Sequence, residues 1–234
     1  MGAADLNVRI KNRQELDEFL KMAKEYHFQA LATPLSLKDP VTQYDGGFKL
    51  CRRIELKADK LGTVKSRVGQ GRREAVIISV RIGDVNVVNW AANDHRVDLL
   101  TTYGNPWEKD LRYSTAKLAA STNTALEVSM ASLLRVSGLK RSRVLKSLRE
   151  SIRTASRAGM RIILSSGADR ALRMRSPISI QHMGILLNMD FETAEKGIRD
   201  YPMEIIERNI AKLGDNIIAP GIELVKSDSD EEAS

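Results

Sequence analysis

Residues 161–177 read RIILSSGADRALRMRSP and contain, in order, the residue types of a buried strand, a basic loop and the start of a helix. An apolar run ends in two serines and a glycine, and three arginines follow. Ser176 stands directly before Pro177, the order that is typical of an N-cap and first helical residue. A strand followed by a helix is the repeating unit of a parallel sheet covered by helices.

The same unit recurs along the chain. Short apolar segments predict strands at Ala4–Ile10, Gln29–Leu35, Arg53–Ala58, Ala75–Ile82, Val97–Thr102, Ala125–Met130 and Arg161–Ser166. Amphipathic stretches predict helices near 12–26, 60–70, 84–94, 107–122 and 140–158, and three more near 177–187, 190–199 and 202–213. The stretch 36–52, with its DP and DGG sequences, predicts a long loop with room for one helical turn.

Seven strands mostly separated by helices indicate an α/β fold with a parallel sheet. The sheet could close into a TIM-like barrel or stay open and doubly wound. We favour the barrel, because the repeat is regular and no glycine-rich dinucleotide turn follows the first strand.

Length and composition predict one domain over residues 1–222 and a tail over 223–234. The chain has 234 residues, 42% of them hydrophobic, which is enough for one substantial core. The last nine residues, KSDSDEEAS, contain four acids and no apolar periodicity, so we expect disorder there. A single cysteine, Cys51, no secretory pattern at the start and no apolar run long enough for a bilayer predict a protein of a reducing compartment.

Positive charge is concentrated in one part of the chain. The formal net charge is +7, yet residues 135–175 alone contain twelve Lys or Arg against two acids. Such a segment is typical of a polyanion partner, whereas a solvated surface is the plainer alternative. An anionic membrane is a weaker candidate, since no basic helix carries exposed Trp or Phe.

The helix predicted at 140–158 has two contrasting sides. Apolar residues at helical spacing form one side: Val144, Leu145, Leu148, Ile152 and Ala155. Basic residues three and four apart form the other: Lys146, Arg149, Arg153 and Arg157. Like charges at this spacing destabilise an isolated helix, so an outward basic stripe favours a polyanion that offsets the repulsion.

Catalytic signatures are weak. His27, His95 and His182 lie in no ligand spacing, so a metal-dependent phosphoesterase is poorly supported. We predict that His27 ends the first helix, that His95 lies in a turn, and that His182 has a core or interface role. The serines at 165–166 lack a nucleophile elbow and a relay, which favours a close-packing role.

An anion site is better supported than a catalytic centre. The stretch GQGRRE at 69–74 lacks the Walker lysine and is a very weak nucleotide motif. After the last predicted strand, Ser176 can cap a helix whose first residue is Pro177. The free backbone N–H groups and the helix dipole at that helix start would favour an anion, and Arg170, Arg173 and Arg175 add positive charge. A phosphorylated metabolite and an RNA backbone would both fit this chemistry.

Three stretches resemble the family of ribonuclease P protein component 3, found in archaea and eukaryotes. They are ADLNVR at 4–9, NTALEVSM at 123–130, and RIILSSGADRALRMRSPISIQHMGILLNMDFETAEKGIRDYPMEIIERN at 161–209. The resemblance covers about residues 4–212. One departure is Ser179, where the family often has an acid two residues after the proline; the contact made by that acid is therefore absent or replaced.

The resemblance implies a seven-stranded TIM-like barrel related to PHP-type phosphoesterases but without their metal ligands. It also implies a non-catalytic subunit of ribonuclease P, the enzyme that removes the 5′ leader of precursor tRNA. The RNA subunit would perform the hydrolysis with magnesium, and this chain would bind no cofactor. Implied partners are the RNase P RNA, a small RRM-like protein subunit and other RNase P proteins, with precursor tRNA contacted indirectly and no membrane. The compartment would be the cytoplasm in an archaeon and the nucleus in a eukaryote.

The candidate RNA-binding residues come from the charge pattern. They are Arg170, Arg173 and Arg175 in the last loop, Lys146, Arg149, Arg153 and Arg157 on the long helix, and, as weaker candidates near strand ends or loops, Arg81, Arg96 and Arg135. Two rival functions are a barrel enzyme acting on a phosphorylated small molecule and a scaffold that binds only proteins.

Overall fold

The computed structural model describes residues 2–104 and 111–213, together with the backbone of 217–219 and 222–223. Its strands are β1 (Ala3–Asp5), β2 (Phe28–Thr33), β3 (Val41–Gln43), β4 (Lys49–Leu56), β5 (Ile77–Arg81), β6 (Leu99–Thr102), β7 (Ala125–Ser129), β8 (Ile162–Ser165), β9 (Ile217–Ala219) and β10 (Ile222–Glu223). Its helices are α1 (Arg13–Glu25), α2 (Leu61–Gly71), α3 (Val85–Asn93), α4 (Tyr113–Ser121), α5 (Ala131–Leu134), α6 (Gly138–Ala158), α7 (Pro177–Leu186), α8 (Phe191–Lys196) and α9 (Asp200–Leu213). Short 3-10 turns lie at Asp45–Gly47 and Ala171–Arg173.

Seven parallel strands form a nearly closed barrel in the order β1-β2-β4-β5-β6-β7-β8. The predicted barrel is therefore confirmed, and the open doubly wound sheet is wrong. β3 is the exception to the parallel order, because it pairs antiparallel with β4. Helices outside the strands bury a continuous apolar layer against the sheet.

The seam between β8 and β1 is bridged by the two residues that follow α8. The amide of Leu164 donates to the carbonyl of Gly197 at 2.9 Å, and the amide of Ala4 donates to the carbonyl of Ile198 at 3.1 Å. These bonds satisfy backbone groups of both edge strands, as a short strand would. The approach at Gly197 is so close that an added Cβ would lie 2.8 Å from the Ile162 carbonyl oxygen.

Every second residue of each strand points into the barrel. These interior side chains are apolar at one end of the barrel and polar at the other. Near the N-terminal ends of the strands the interior is apolar and includes Cys51, Ile77 and Ile163. Burial raises the pKa of Cys51 to about 12, so this thiol is inert. Apolar residues of α9, among them Ile206, cover this end of the barrel.

Hydrogen bonds to the carboxylate of Asp98 hold α9 over the end of the barrel where the strands begin. The buried carboxylate of Asp98 accepts from Asn209 Nδ2 at 2.7 Å and from Arg208 at 3.0 Å, both on α9. It also accepts from Arg72 at 2.8 Å. Because Arg72 belongs to the stretch 69–74, that stretch has a structural role here.

Two expectations about elements need correction or restriction. The predicted long loop over 36–52 is wrong in part, since it contains β3 and the first residues of β4. Its glycines Gly46 and Gly47, with φ of +76° and +79°, form the reverse turn of a hairpin, and the predicted helical turn lies there. The predicted helix over 107–122 begins at Tyr113 in the described chain, since Arg112 is extended; residues 107–110 lie outside the described residues.

The C-terminal part follows the prediction for its three helices. Beyond them, β9 and β10 form an antiparallel pair that the sequence did not predict. Of the expected disordered tail over 223–234, all but the backbone of Glu223 lies outside the described residues. No helix in the described part of the chain has the length and apolarity needed to span a bilayer.

We predict that Gly197→Ala destabilises the barrel by about 1–3 kcal/mol, because the new methyl group would push the seam apart at the Ile162 carbonyl. Gly62→Ala, in α2 where a Cβ meets nothing within 4 Å, is the matched control and should be neutral or stabilising by up to about 1 kcal/mol. Urea unfolding measures both. Equal stabilities of the two variants would contradict the seam assignment.

Candidate nucleic-acid interface

A buried ion pair fills the barrel toward the C-terminal ends of the strands. Arg53 is 2% exposed and Glu127 is fully buried. The guanidinium donates to both carboxylate oxygens of Glu127, at 2.7 and 2.6 Å, and to the carbonyl of Leu6 at 2.6 Å. Thr101 Oγ1 donates to the same carboxylate at 2.7 Å. Burial alone would lower the pKa of Arg53, but the charge of Glu127 and its hydrogen bonds raise the pKa above its usual value, so Arg53 stays charged.

The ion pair is connected to a hydrogen-bond network at the mouth of the barrel, the opening at the C-terminal ends of the strands. Tyr103 donates its hydroxyl to Glu55 at 2.6 Å, and Arg9 donates to Glu55 at 3.1 Å. Burial opposes ionisation of Glu55, but Arg53, the Tyr103 hydroxyl and Arg9 outweigh it and hold the pKa of this carboxyl below its usual value. Burial raises the pKa of Tyr103 to about 12, which keeps the hydroxyl a donor at neutral pH.

The Ser-Ser-Gly stretch ends β8 by close packing. Ser166 donates its backbone N–H to the buried carboxylate of Asp5 at 3.2 Å, and its hydroxyl accepts from the Ala168 amide at 3.1 Å. Burial raises the pKa of Asp5 above its usual value. Gly167 has a φ of +63° and no room for a Cβ beside Ser129. These contacts fix the direction of the loop that follows β8. They support a close-packing role for the two serines.

Three candidate arginines meet at the C-terminal end of the barrel. Arg135, Arg173 and Arg175 line a cavity of about 350 Å³ between the loops after β7 and β8. The carboxylate of Asp169 lies 2.9 Å from both Arg135 and Arg173. Burial opposes its ionisation, but the hydrogen bond from Arg173 and the charge of Arg135 hold the pKa of Asp169 below its usual value.

The start of α7 is built as predicted. Ser176 Oγ accepts from the Ser179 amide at 3.3 Å, and Pro177 is the first helical residue. The hydroxyl of Ser179 lies 3.0 Å from that of Ser176 and so contacts the cap where the family often has an acid. Nearby, Arg175 donates to the Met174 carbonyl at 2.8 Å.

A second cavity, of about 300 Å³, adjoins the first. Arg135 lines both, and the second one adds Arg9, Arg81 and Lys140 around Tyr103. The guanidinium of Arg81 lies 4.6 Å from the centre of the Tyr103 ring, and that of Arg9 lies 5.2 Å from it.

The basic stripe of α6 forms one wall of a groove, while the apolar side of the helix packs on the barrel as predicted. The groove, about 570 Å³, is lined by Lys146, Arg149, Arg153 and Arg157 and by the residues after α7. Arg149 donates to the Leu186 carbonyl at 2.8 Å and caps the end of α7. Arg153 pairs with Glu150, and Arg157 lies 5.8 Å from the centre of the Tyr113 ring.

Two candidates lie apart from these cavities. Arg96 precedes β6, so it lies toward the N-terminal ends of the strands, where it donates to Asp94 at 2.7 Å. Arg170 is exposed just before the second 3-10 turn.

The histidines are placed as follows. His27 follows the first helix and His95 is exposed after α3, as predicted. A core role for His182 is wrong, because it is exposed on α7. Within the described ranges, no three His, Cys, Asp or Glu side chains are grouped so that they could hold a metal ion.

Sequence reasoning missed the polar interior and mouth: Arg9, Arg53, Glu55, Tyr103, Glu127 and Lys140. A signal was present, since Arg53 and Glu55 are two apart in one strand and so lie on the same face. Glu127 likewise interrupts an apolar strand. In a parallel sheet covered by helices, charges within a strand indicate a polar barrel interior.

Comparison with known proteins identifies the family. The sequence profile of the family RNase P subunit p30 matches residues 2–213. The chain belongs to the RNase P subunit p30 family. This confirms the resemblance drawn from the three motifs.

Relatives in the RNase P subunit p30 family include two archaeal proteins named ribonuclease P protein component 3. The one from Haloarcula marismortui is 27% identical over 79% of this chain and 77% of its own length. The one from Methanosarcina barkeri is 26% identical over 90% of both chains. A solved chain described as part of a cryo-EM structure of archaeal ribonuclease P with mature tRNA matches with a TM-score of 0.77 and 20% identity, covering 95% of this chain and 99% of that one. At this identity the likeness shows the fold.

We predict that Glu127→Gln destabilises the protein by about 3–5 kcal/mol, because it removes the carboxylate that binds Arg53 at 2.6 Å and leaves only Glu55, 3.4 Å away, to offset the buried charge. The double variant Arg53→Met, Glu127→Leu should recover most of this loss, since it removes both charges at once. Guanidinium chloride unfolding of the two variants measures the difference. A double variant as unstable as the single one would contradict a dominant role for the unpaired charge.

Proposed function

We propose that this chain is a non-catalytic protein subunit of ribonuclease P that binds and stabilises the RNA during 5′ maturation of precursor tRNA. The observation that carries the proposal is the family match over residues 2–213, together with the basic surface that the fold assembles from one segment of the chain. That surface has two parts: the mouth cavity at Arg135, Arg173 and Arg175, and the groove along α6.

The chemistry of this surface suits an RNA backbone. RNA helices are recognised mainly through shape, 2′-hydroxyls and phosphates, and arginine pairs with phosphate in a bidentate manner. The exposed ion pairs of Arg135, Arg153 and Arg173 stabilise the fold by only about 0–1 kcal/mol each, so phosphates can replace their carboxylate partners at little cost.

The interior of the barrel supports the non-catalytic assignment. TIM-barrel enzymes react at the C-terminal mouth. Here Glu127 is bound on both oxygens by Arg53, and Glu55 is shared by Arg9 and Tyr103. These carboxylates are engaged in ion pairs, which favours a structural role for them. We expect hydrolysis to be carried out by the RNA with magnesium bound to the RNA, and the whole particle to work in the cytoplasm if the source is archaeal, as its relatives are.

The protein partners would dock on apolar side chains beside the basic surface. We expect a small RRM-like subunit and other RNase P proteins, with precursor tRNA reached indirectly. An exposed apolar face supports the docking site of the RRM-like subunit: Ile178, Ile185 and Leu186 share one side of α7 with the exposed His182, and Phe191 follows. Ile178 and Phe191 are 61% and 59% exposed, which is unusual for side chains that are this apolar.

We predict that affinity for RNase P RNA falls steeply with salt, with a log–log slope of about −0.7 to −0.9 per phosphate contacted. In Arg173→Gln, Arg175→Gln the slope should become shallower by about that amount for each phosphate that the variant no longer binds. Filter binding over a range of KCl concentrations measures it. The double variant Lys60→Gln, Arg67→Gln, with equal charge change on exposed positions around α2, should leave the slope unchanged.

The variant Asp169→Asn tests phosphate contact by Arg135 and Arg173 more directly. If Arg135 and Arg173 contact phosphates, removal of their shared carboxylate should raise RNA affinity, on the order of threefold. Lower affinity would contradict direct phosphate contact by these arginines. Phosphoester hydrolysis by the purified protein without any RNA would overturn the non-catalytic assignment.

We predict that Ile178→Ser, Phe191→Ser abolishes co-elution with the RRM-like subunit in size-exclusion chromatography, because it removes the apolar anchors. RNA affinity of the isolated chain should not change. The control Leu139→Ser alters an apolar residue at the start of α6 that is even more exposed, and it should retain the subunit. Retention by both variants would contradict docking on α7.

A further inference from the structure

An exposed aromatic ring lies beside the basic stripe of α6. Tyr113 is the first residue of α4, and its side chain is 48% exposed. In the part of the chain that the structure describes, Tyr113 and Phe191 are the two aromatic residues that are classed as exposed. Phe191 lies near other exposed apolar side chains at α7, whereas the neighbours of Tyr113 are cations. The two rings therefore suit different partners.

Two cations border the Tyr113 ring. The guanidinium of Arg157, on α6, lies 5.8 Å from the ring centre, and the ammonium of Lys117, one turn along α4, lies 5.9 Å from it. Both distances are near the outer limit of about 6 Å for a cation–π contact. A nucleotide joins a flat base to a phosphate, so a ring with cations at its border offers a contact to each half of a nucleotide.

Arg157 connects this ring to the groove along α6. It lines the groove together with Lys146 and Arg153, and it lies in the last turn of the helix. An RNA strand that follows the groove along its phosphates would reach Tyr113 where it passes Arg157. The ring is therefore continuous with the basic surface and adds an apolar contact to it.

We infer that Tyr113 stacks on an unpaired nucleobase of the bound RNA. The inference rests on the proposed function and deepens it, since it concerns the same surface. The cations of the stripe contact phosphates and so do not distinguish paired from unpaired RNA. A paired helix keeps its bases stacked inside, whereas a loop or bulge can place a base on an aromatic side chain. The ring thus directs the surface to a position where a helix meets an unpaired nucleotide.

The magnitudes favour the exchange of a cation for a base on this ring. An exposed cation–π contact changes an equilibrium constant by about 2- to 5-fold, whereas a base stacked on an aromatic side chain changes it by about 5- to 150-fold. A base that displaces Lys117 or Arg157 from the ring therefore gains more than the cation loses. The displaced cation stays close to the phosphate of the same nucleotide.

Three RNA hairpins with one stem sequence test the inference on the full chain. The first has a bulged adenosine, the second has an abasic residue at the same bulge, and the third has an uninterrupted stem. The first two carry the same charge, so a difference in affinity between them comes from the base. The native protein should bind the adenosine bulge on the order of fivefold more tightly than the abasic bulge.

Variants separate the ring from the phosphate contacts. Tyr113→Leu should bring the ratio of the two affinities close to one, and Tyr113→Phe, which keeps the ring, should preserve the ratio. Lys146→Gln should weaken the binding of all three hairpins and preserve the ratio, because it removes a phosphate contact. Leu118→Ala, at an exposed position of the same helix, is the matched control and should leave all affinities unchanged.

Ring-current shifts provide a readout that does not depend on affinity. In protein labelled with ¹³C-tyrosine, the ring resonance that is missing from Tyr113→Phe belongs to Tyr113. This resonance should move upfield when the adenosine bulge binds and much less when the abasic bulge binds, because a stacked base lies over the face of the ring.

Equal affinities for the adenosine and abasic bulges would overturn the inference, and so would a ratio that survives Tyr113→Leu. In either case, salt-dependent binding of the uninterrupted stem that Lys146→Gln weakens would leave the proposed function standing. Binding of none of the hairpins would overturn the proposed function and the inference together. A ratio of one, with loss of a co-eluting RNase P protein in Tyr113→Leu, would assign the ring to a protein partner and overturn the inference.

Discussion

The buried pair of Arg53 and Glu127 is the constraint on which the rest of the C-terminal half of the barrel depends. Taking two charges out of water is costly, and the cost is offset only when hydrogen bonds satisfy both partners. Here the carboxylate is bound on both oxygens, and the two terminal guanidinium nitrogens also reach the Leu6 carbonyl and Thr101; the buried Nε has no partner among the described residues. The interior is therefore filled by two fixed charges of opposite sign that neutralise each other. Further cationic side chains lie at the mouth, where Arg81, Arg135 and Lys140 line the cavity beside Tyr103.

The mouth is held in place by backbone contacts more than by the arginines themselves. The amide of Arg9 donates to the Ala168 carbonyl at 2.7 Å, and the Ser166 amide donates to Asp5. These bonds join the ends of β1 and β8, the two strands that do not pair directly. The same seam is closed lower down by Gly197 and Ile198. The loop with Asp169 and Arg173 is therefore fixed by the closure of the barrel, which links fold stability to the geometry of the basic surface.

The sequence was informative where a local period decides the structure. The seven parallel strands follow from short apolar runs, because strands buried on both faces are hydrophobic at nearly every position. The three C-terminal helices and the two sides of α6 follow from helical spacing, because burial of one apolar face sets that period. β3 was missed because three half-exposed residues carry no period. The cavity beside Tyr103 could not be predicted, since residues 9, 81, 103, 135 and 140 become neighbours only through the closure of the barrel. Arg96 directly precedes the predicted strand Val97–Thr102, so the sequence already placed it at the N-terminal end of that strand, away from the mouth of a parallel barrel.

The two parts of the basic surface differ in how their cations are held. Along α6 the cations are spaced by the helix and are individually matched by the Leu186 carbonyl, Glu150 and the Tyr113 ring. In the mouth cavity, Arg135 and Arg173 instead share the carboxylate of Asp169. Exposed ion pairs of this kind contribute only about 0–1 kcal/mol each, so the carboxylates hold the guanidiniums in place without committing them. A phosphate that displaces Glu150 or Asp169 therefore costs the fold little in either part of the surface.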